Sequence, residues 1–350
     1  MASLLRFETD ESGDLRFEPC AAVVGHLERR HAAAKTVLRS LEASGVLGGK
    51  DPTLLSTHPA AHGLVAFKQG FLPPEKAEEC VELLAGLDAV RLDRLRHDLR
   101  TVHQSSALLP NVETRGEVVN VDLRAPTHAH ALDEMLAEVG RVGGGGWEHM
   151  VSIVKAITLV IVRGMPDLPY FSGSTSDTWG AIHMSTPSNP LVLAESLTHE
   201  AAHLWLHLVE EVGEFAPGAW EENEWISPWR EDPRPIGGII HGVHVFSSAA
   251  LVLSQWLREG PTTPAGVSRE DIEARASFLV AQVEEGITEL SRHSGLASTA
   301  LEIASASETR LSQVRFRIGF DALSCARSRA SERRAAKICS LRQKGLSFRH

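Results

Sequence analysis

The chain has no Cys-x-x-Cys pair, no apolar run long enough to span a bilayer, no internal repeat and no surplus of positive charge. Each absence removes a class of protein. The four cysteines, Cys20, Cys80, Cys325 and Cys339, lie far apart, which argues against both a thiolate zinc site and a disulfide framework. The longest apolar stretch, residues 153–162, is interrupted by Lys155 and is about half the ~20 residues that a membrane helix needs. At the N-terminus Glu8 arrives before a secretory apolar region can develop. These features predict a cytoplasmic protein with no membrane partner. The only low-complexity tract is the short glycine run at 143–146.

Positive charge is scarce overall and concentrated at one end. The formal net charge is −10 over 350 residues. Residues 310–350 carry eleven lysines and arginines against Asp321 and Glu332, a local +9 that leaves −19 for the rest. An acidic body excludes nucleic acid as a partner, because phosphate contacts dominate that kind of affinity. The basic tail reads as a solvated, partly disordered terminus, with docking on an acidic partner as the other reading.

What is present is a chain with 43% hydrophobic residues, enough for a sizeable core. Apolar residues recur at helical spacing from Ala21 to Leu41. A second helix is expected from Pro73-Pro74, breaking near Gly86 and resuming to about Val102. Alternation over residues 118–123 predicts a strand, and residues 128–139 a helix. The glycines at 143–146 predict a flexible joint and a boundary. Beyond it, residues 151–162 read as a buried strand and 179–185 as a second. Pro190 then opens a helix to about Val212. Residues 216–235 hold Trp220, Trp225 and Trp229 with four prolines and read as turns. Further helices follow at 236–259 and 269–292. The expected class is α+β, mostly helical with a small sheet, with two long apolar helices carrying metal ligands. Three regions are expected: a helical N-terminal region (1–145), a metal-binding catalytic domain (146–309) and the basic tail (310–350).

The chemistry is concentrated in His199-Glu200-Ala201-Ala202-His203. Residues four apart share one face of a helix, so His199 and His203 can aim two imidazoles at one ion while Glu200 stands beside it. The surrounding helix is apolar on nearly every side, as buried helices are. Burying two imidazoles and a carboxylate without partners costs several kcal/mol, on the order of that for any unsatisfied polar group, and a metal supplies the partner.

The third ligand is less constrained. His207 lies about 12 Å along the helix from His199 at ~1.5 Å per residue, too far to share its ion. The metzincin extension fails, because Leu206 and Val209 occupy the positions that need glycine and histidine. Glu222 has a gluzincin-like spacing but sits among five other glutamates. His241 and His244 begin a second apolar helix in which Gly237, Gly238 and Gly242 permit close approach of another backbone or a ligand. On spacing alone His241, Glu222 and His244 all stay open.

Residues 227–235, Ser-Pro-Trp-Arg-Glu-Asp-Pro-Arg-Pro, followed by Gly238-Ile239-Ile240-His241-Gly242, resemble the second signature of the HExxH-type peptide-modification proteins. These accompany gene clusters for ribosomally made, post-translationally modified peptides. The first signature of that family is similar to residues 195–203, with a preceding strand like 179–185. The likeness is strongest over residues 175–257. It implies an iron(II)- and 2-oxoglutarate-dependent peptide β-hydroxylase acting on a precursor peptide, with His199, His203 and His241 as metal ligands. Arg230 and Arg234 are candidates to grip 2-oxoglutarate, because a guanidinium fork matches a carboxylate; pairing with Glu231 or Asp232 is the structural alternative. Glu200 would orient a ligand or water.

The rival is a zinc metallopeptidase with Glu200 as general base. A non-catalytic peptide-binding protein with a closed, structural metal site is a third reading. In any of them, residues 179–185 offer a strand for an extended peptide to pair with at a sheet edge, His183 reads as structural or cleft-facing, and the three tryptophans as groove or core. The oligomeric state is unknown from the sequence.

Overall fold

A computed structural model of the protein describes residues 5–9, 15–96, 101–103, 113–114, 117–118, 121–123, 129–162, 170–258, 263–264, 266–346 and 348. In chain order the elements are β1 (Leu5–Thr9), β2 (Leu15–Pro19), α1 (Ala21–Ala43), α2 (Pro52–Leu55), α3 (Pro59–Lys68), α4 (Pro74–Ala85), α5 (Ala89–Arg96), β3 (Thr101–His103), β4 (Glu113–Thr114), β5 (Glu117–Val118) and β6 (Val121–Leu123). They continue with α6 (Ala129–Val151), β7 (Ala156–Val162), β8 (Ser172–Ser174), β9 (Ala181–Met184), α7 (Pro190–Val212), α8 (Ile236–Gln255), α9 (Arg269–Ser291), α10 (Ser298–Arg317) and α11 (Phe320–Gln343). The class is α+β, mostly helical with a small sheet. Two compact units emerge, each built from separate stretches of chain: residues 1–20, 136–150 and 189–350 form one, and residues 21–135 and 151–188 the other. The α6 helix is interrupted at Gly144, whose φ of 70° only glycine adopts at no steric cost.

The unit of residues 21–135 and 151–188 holds the sheet. Its strand order is β3-β7-β9-β8, with β6 also pairing β7. β3, β7 and β9 run parallel, while β8 and β6 are antiparallel to their neighbours. The β-branched run of β7 suits this central position, and Ala156 and Ala181 join a core with Leu38, Leu47, Leu55, Leu64 and Leu84. The topology corrects one expectation: β9 is internal, with β7 on one side and β8 on the other, so it offers no free edge to a peptide. The strand expected over 118–123 is divided between β5 and β6, with 119 and 120 outside the described residues. Thr101 and Val102, expected to end a helix, are in β3, and His128 lies outside the described residues. His183 on β9 is fully buried with neither ring nitrogen hydrogen-bonded, and burial pushes its pKa down to about 3.

The other unit is a bundle of α7 to α11 with the β1–β2 hairpin. α8 packs against α7, α9 and α10, and α11 lies on α9. Local signals set the helix ends. Asn189 caps α7 by accepting a 3.0 Å bond from Val192 N, Pro190 fills the first turn, and Gly213 follows the last residue. Ser268 and Asp271 form a reciprocal capping box at the start of α9. In α8 every residue but Gly238 and Phe246 is buried. Its buried isoleucine, valine and leucine side chains represent on the order of 15 kcal/mol of gross transfer free energy, an upper estimate because the unfolded chain already hides some surface.

Against the expectation of no membrane-length apolar run, α8, alone among the described residues, is long and apolar enough to cross a membrane, and 89% of the qualifying stretch is buried inside the protein. Two apolar helices were expected. α7 falls short because histidines and glutamates interrupt its apolar surface, although most of its other residues are buried.

The basic tail is the second correction. Residues 310–317 belong to α10 and 320–343 to α11, and Leu323, Ala326, Ala330 and Leu341 of α11 are buried. The charge surplus meets acid from the chain itself: Arg327 pairs with Glu284 at 2.6 Å, Arg334 pairs with Glu289, and Lys337 donates to the Ser227 carbonyl at 2.6 Å. Basic residues read as solvated because their acidic partners on α9 lie some forty positions upstream.

No disulfide joins the four cysteines. Burial raises the Cys80 thiol to about 12, whereas Cys325 and Cys339 are exposed. Because the thiolate is the nucleophile, iodoacetamide at pH 8 is expected to label Cys325 and Cys339 in the folded protein and to reach Cys80 only after denaturation. Peptide mass mapping checks this; native labelling of Cys80 at the rate of Cys325 would contradict the burial.

Candidate metal centre

One face of α7 carries His199, His203, His207 and Glu210, at steps of four, four and three. This phase keeps all four on one side of a helix, over about 16 Å at ~1.5 Å per residue. α8 brings His241 against the stripe. His199 Nε2 lies 3.1 Å from His203 Nε2, and His203 Nδ1 lies 2.9 Å from His241 Nδ1. On its far side His241 Nε2 stands 3.2 Å from Glu210 Oε2, which accepts a 3.1 Å bond from His207 Nδ1. The result is a row of four imidazoles and one carboxylate, each within 3.2 Å of the next.

The expected ligands therefore meet in pairs. His203 faces His199 with one nitrogen and His241 with the other. Among the described residues, the one group of three that brings a single donor atom from each to within 4.8 Å of the others is His207, Glu210 and His241. Pair by pair the separations match neighbouring donors on one ion, but His199, His203 and His241 do not bring one donor atom each to within 4.8 Å of one another. Cis donors about 2.1 Å from an octahedral ion stand about 3.0 Å apart, close to the observed 2.9–3.2 Å.

His199, His203 and His241 are neutral donors. Burial lowers the pKa of His199 to about 3, with the charges of Arg275 and His241 adding to it. His203 is held well below the ordinary value by burial and then by the neighbouring imidazoles, and His241 is lowered mainly by burial against an opposing pull from Glu210. Burial alone would raise the Glu210 carboxyl, but contacts with His207 and His241 outweigh it and hold the group at about 2. Neutral imidazole with ionised carboxylate is the protonation state that metal binding requires.

The walls are aromatic. Phe215 and Trp220 present ring edges to His241 at centroid distances of 5.9 and 5.2 Å, and Phe246 approaches His199 at 4.6 Å. Trp220, though 52% exposed, donates from Nε1 to Glu210 Oε1 at 3.1 Å. Trp229 stacks on Phe246 at 5.1 Å, and Trp225 is buried. At the N-terminal end of the stripe, Arg275 grips Glu195 through two bonds of 2.7 and 2.5 Å.

The remaining candidates lie elsewhere. Glu200 is buried on α7 beside His199. His244 is turned to Arg310, 3.3 Å from its guanidinium, and Glu222 is exposed. Arg234 pairs with Asp232 at 3.4 Å while its main chain bridges to Trp225. Arg230 is exposed, and its amide donates to Ser227 Oγ at 3.2 Å. Sequence reasoning missed Glu210 and set His207 aside. The signal was there, since both continue the face begun by His199 and His203.

In comparisons with known proteins, no family model matches the chain and no curated protein matches it significantly.

Proposed function

We propose that this protein is a metal-dependent oxygenase that hydroxylates a side-chain β-carbon of a ribosomally synthesised peptide in the cytoplasm, using iron(II) and 2-oxoglutarate. The observation that carries the reading is the row of neutral imidazoles from His199 through His203 to His241, on two facing helices. Iron(II) there would supply the chemistry that splits dioxygen between substrate and co-substrate, giving hydroxylated peptide, succinate and carbon dioxide. The chain's own residues hold and shield. His199, His203 and His241 are the proposed ligands on α7 and α8, and imidazole nitrogen suits iron as it does zinc. Phe246 covers His199 and so limits water on that side. Glu200 orients a ligand or water from its buried position. Arg230 and Arg234 stay the proposed grips for 2-oxoglutarate, with Arg234 first exchanging Asp232 for the co-substrate.

Zinc-dependent peptide hydrolysis is the second reading, favoured by the burial of Glu200 next to His199, where a general base would act on metal-bound water. One assay separates them. Purified protein with iron(II), ascorbate, 2-oxoglutarate and a peptide encoded beside its gene is expected to yield succinate and a product heavier by about 16 Da, one inserted oxygen. Peptide cleavage with zinc and no oxygenated product with iron would replace the oxygenase by the peptidase.

A further inference from the structure

We propose a second cation position, formed by His207, Glu210 and His241, beyond the His199–His203 pair on the same helix face. Two imidazoles and one carboxylate select a divalent transition ion of the iron, cobalt or zinc class over magnesium or calcium.

The length of the stripe argues for it. One ion with bonds of about 2 Å cannot engage donors at both ends of a row about 16 Å long. His207 and Glu210 are thus beyond the reach of an ion at His199, while their donor atoms and one from His241 lie within 4.8 Å of each other. His241 stands between the positions, presenting Nδ1 to His203 and Nε2 to Glu210.

Proton bookkeeping points the same way. Protons alone satisfy most of the chain: His199 Nε2 donates to His203 Nε2, His203 Nδ1 donates to His241 Nδ1, and His207 Nδ1 donates to Glu210. This arrangement puts the remaining proton of His241 on Nε2, facing the carboxylate. That last link is the one that fails. Nε2 is buried and 3.2 Å from Glu210 Oε2, yet makes no aligned hydrogen bond. In the opposite tautomer a bare nitrogen lone pair faces an anionic oxygen. A cation between them resolves both cases, and an unsatisfied buried polar atom otherwise costs about 1–3 kcal/mol.

The surroundings are built for a ligand. Trp220 holds Oε1 of Glu210 with its indole N–H and so fixes the carboxylate with Oε2 toward His241. Hydrogen bonds of this kind orient metal ligands. The indole fits there because residue 237 is glycine: a Cβ at that position would stand 2.7 Å from Trp220 Cε2. His207 and Glu210 keep 24% and 21% of their side chains exposed, which leaves a route for an ion and for water as its further ligands.

The proposal shares His241 with the oxygenase reading, its Nδ1 toward His203 and its Nε2 toward Glu210, so filling both positions would release the ring proton and leave a bridging imidazolate. It shares none of the oxygenase chemistry, and the two fail separately. Metal-stripped protein is dialysed against cobalt(II) or zinc(II), and the bound metal is measured by elemental analysis, with circular dichroism to confirm folding. Wild type is expected to hold two equivalents. H199A/H203A is expected to keep one equivalent, and H207A/E210Q to lose one relative to wild type. A folded H199A/H203A protein with no bound metal, or an H207A/E210Q protein that binds as much as wild type, would overturn the second position. Should the first variant not fold, the second decides alone. Two equivalents with no hydroxylated peptide would leave this site standing and remove the oxygenase.

Discussion

Gly242→Ala is expected to destabilise the helical unit by about 3 kcal/mol, at the upper end of the usual cost of overpacking. A glycine-to-alanine change inside a helix ordinarily gains about 1 kcal/mol from backbone propensity, so the sign itself is informative. A Cβ at position 242 would sit 2.3 Å from Cζ3 and 2.4 Å from Cε3 of Trp229, and one at Gly286 would sit 2.6 Å from Cη2 of the same ring. The indole is therefore wedged between α8 and α9 with no Cβ on either side. It has little freedom to slide. Its backbone is pinned by Gln282, which donates to the Pro228 carbonyl at 2.9 Å, and by Lys337 on the Ser227 carbonyl. Trp229 also stacks on Phe246, whose ring abuts His199, so the clash extends to the metal centre. Denaturant midpoints at constant slope measure the loss. A smaller cost of Gly242→Ala in a Trp229→Leu background would assign it to this contact. An alanine variant as stable as wild type would show that the wedge is not tight.

This contact explains why the stretch 227–242 was partly legible. Trp229 and Gly242 stand out in the sequence as a tryptophan among prolines and a glycine in an apolar helix, thirteen residues apart. Their partner Gly286 is a further forty-four residues on, and nothing local marks it. The same division runs through the centre. The start of α7 at Asn189-Pro190 and the shared face of His199 and His203 follow from spacing alone, because both are properties of one helix. Where His241 meets that face is a property of two helices. His207 is ruled out in the sequence by its distance along the helix from His199 alone. The structure brings His241 against the stripe between His203 and Glu210, so His207 lies within reach of a different nitrogen. The basic tail went unread for a related reason. Local charge density resembles a solvated terminus until Glu284 and Glu289 of α9 are placed beside it.

His203→Ala should abolish peptide hydroxylation to below detection, the largest effect expected of any single substitution on activity. His203 is the hinge of the donor chain, touching His199 through Nε2 and His241 through Nδ1. Its removal both deletes a proposed ligand and parts the two imidazoles it joins, leaving nitrogens that each cost about 1–3 kcal/mol if unsatisfied. His203→Gln gives the sharper comparison, since an amide restores some hydrogen bonding and thus stability without an equivalent metal donor. A fold rescued by glutamine with no return of activity separates ligation from packing. Glu200→Gln supplies the contrast. A residue that only orients a ligand typically contributes about 10- to 100-fold, so this variant should keep its metal and a measurable rate of hydroxylation. As the general base of a peptidase it would instead lose about 100- to 10,000-fold in cleavage. Wild-type hydroxylation by His203→Ala would remove the His-Glu-x-x-His pair from the reaction altogether, and with it the reason to place iron at this end of the stripe.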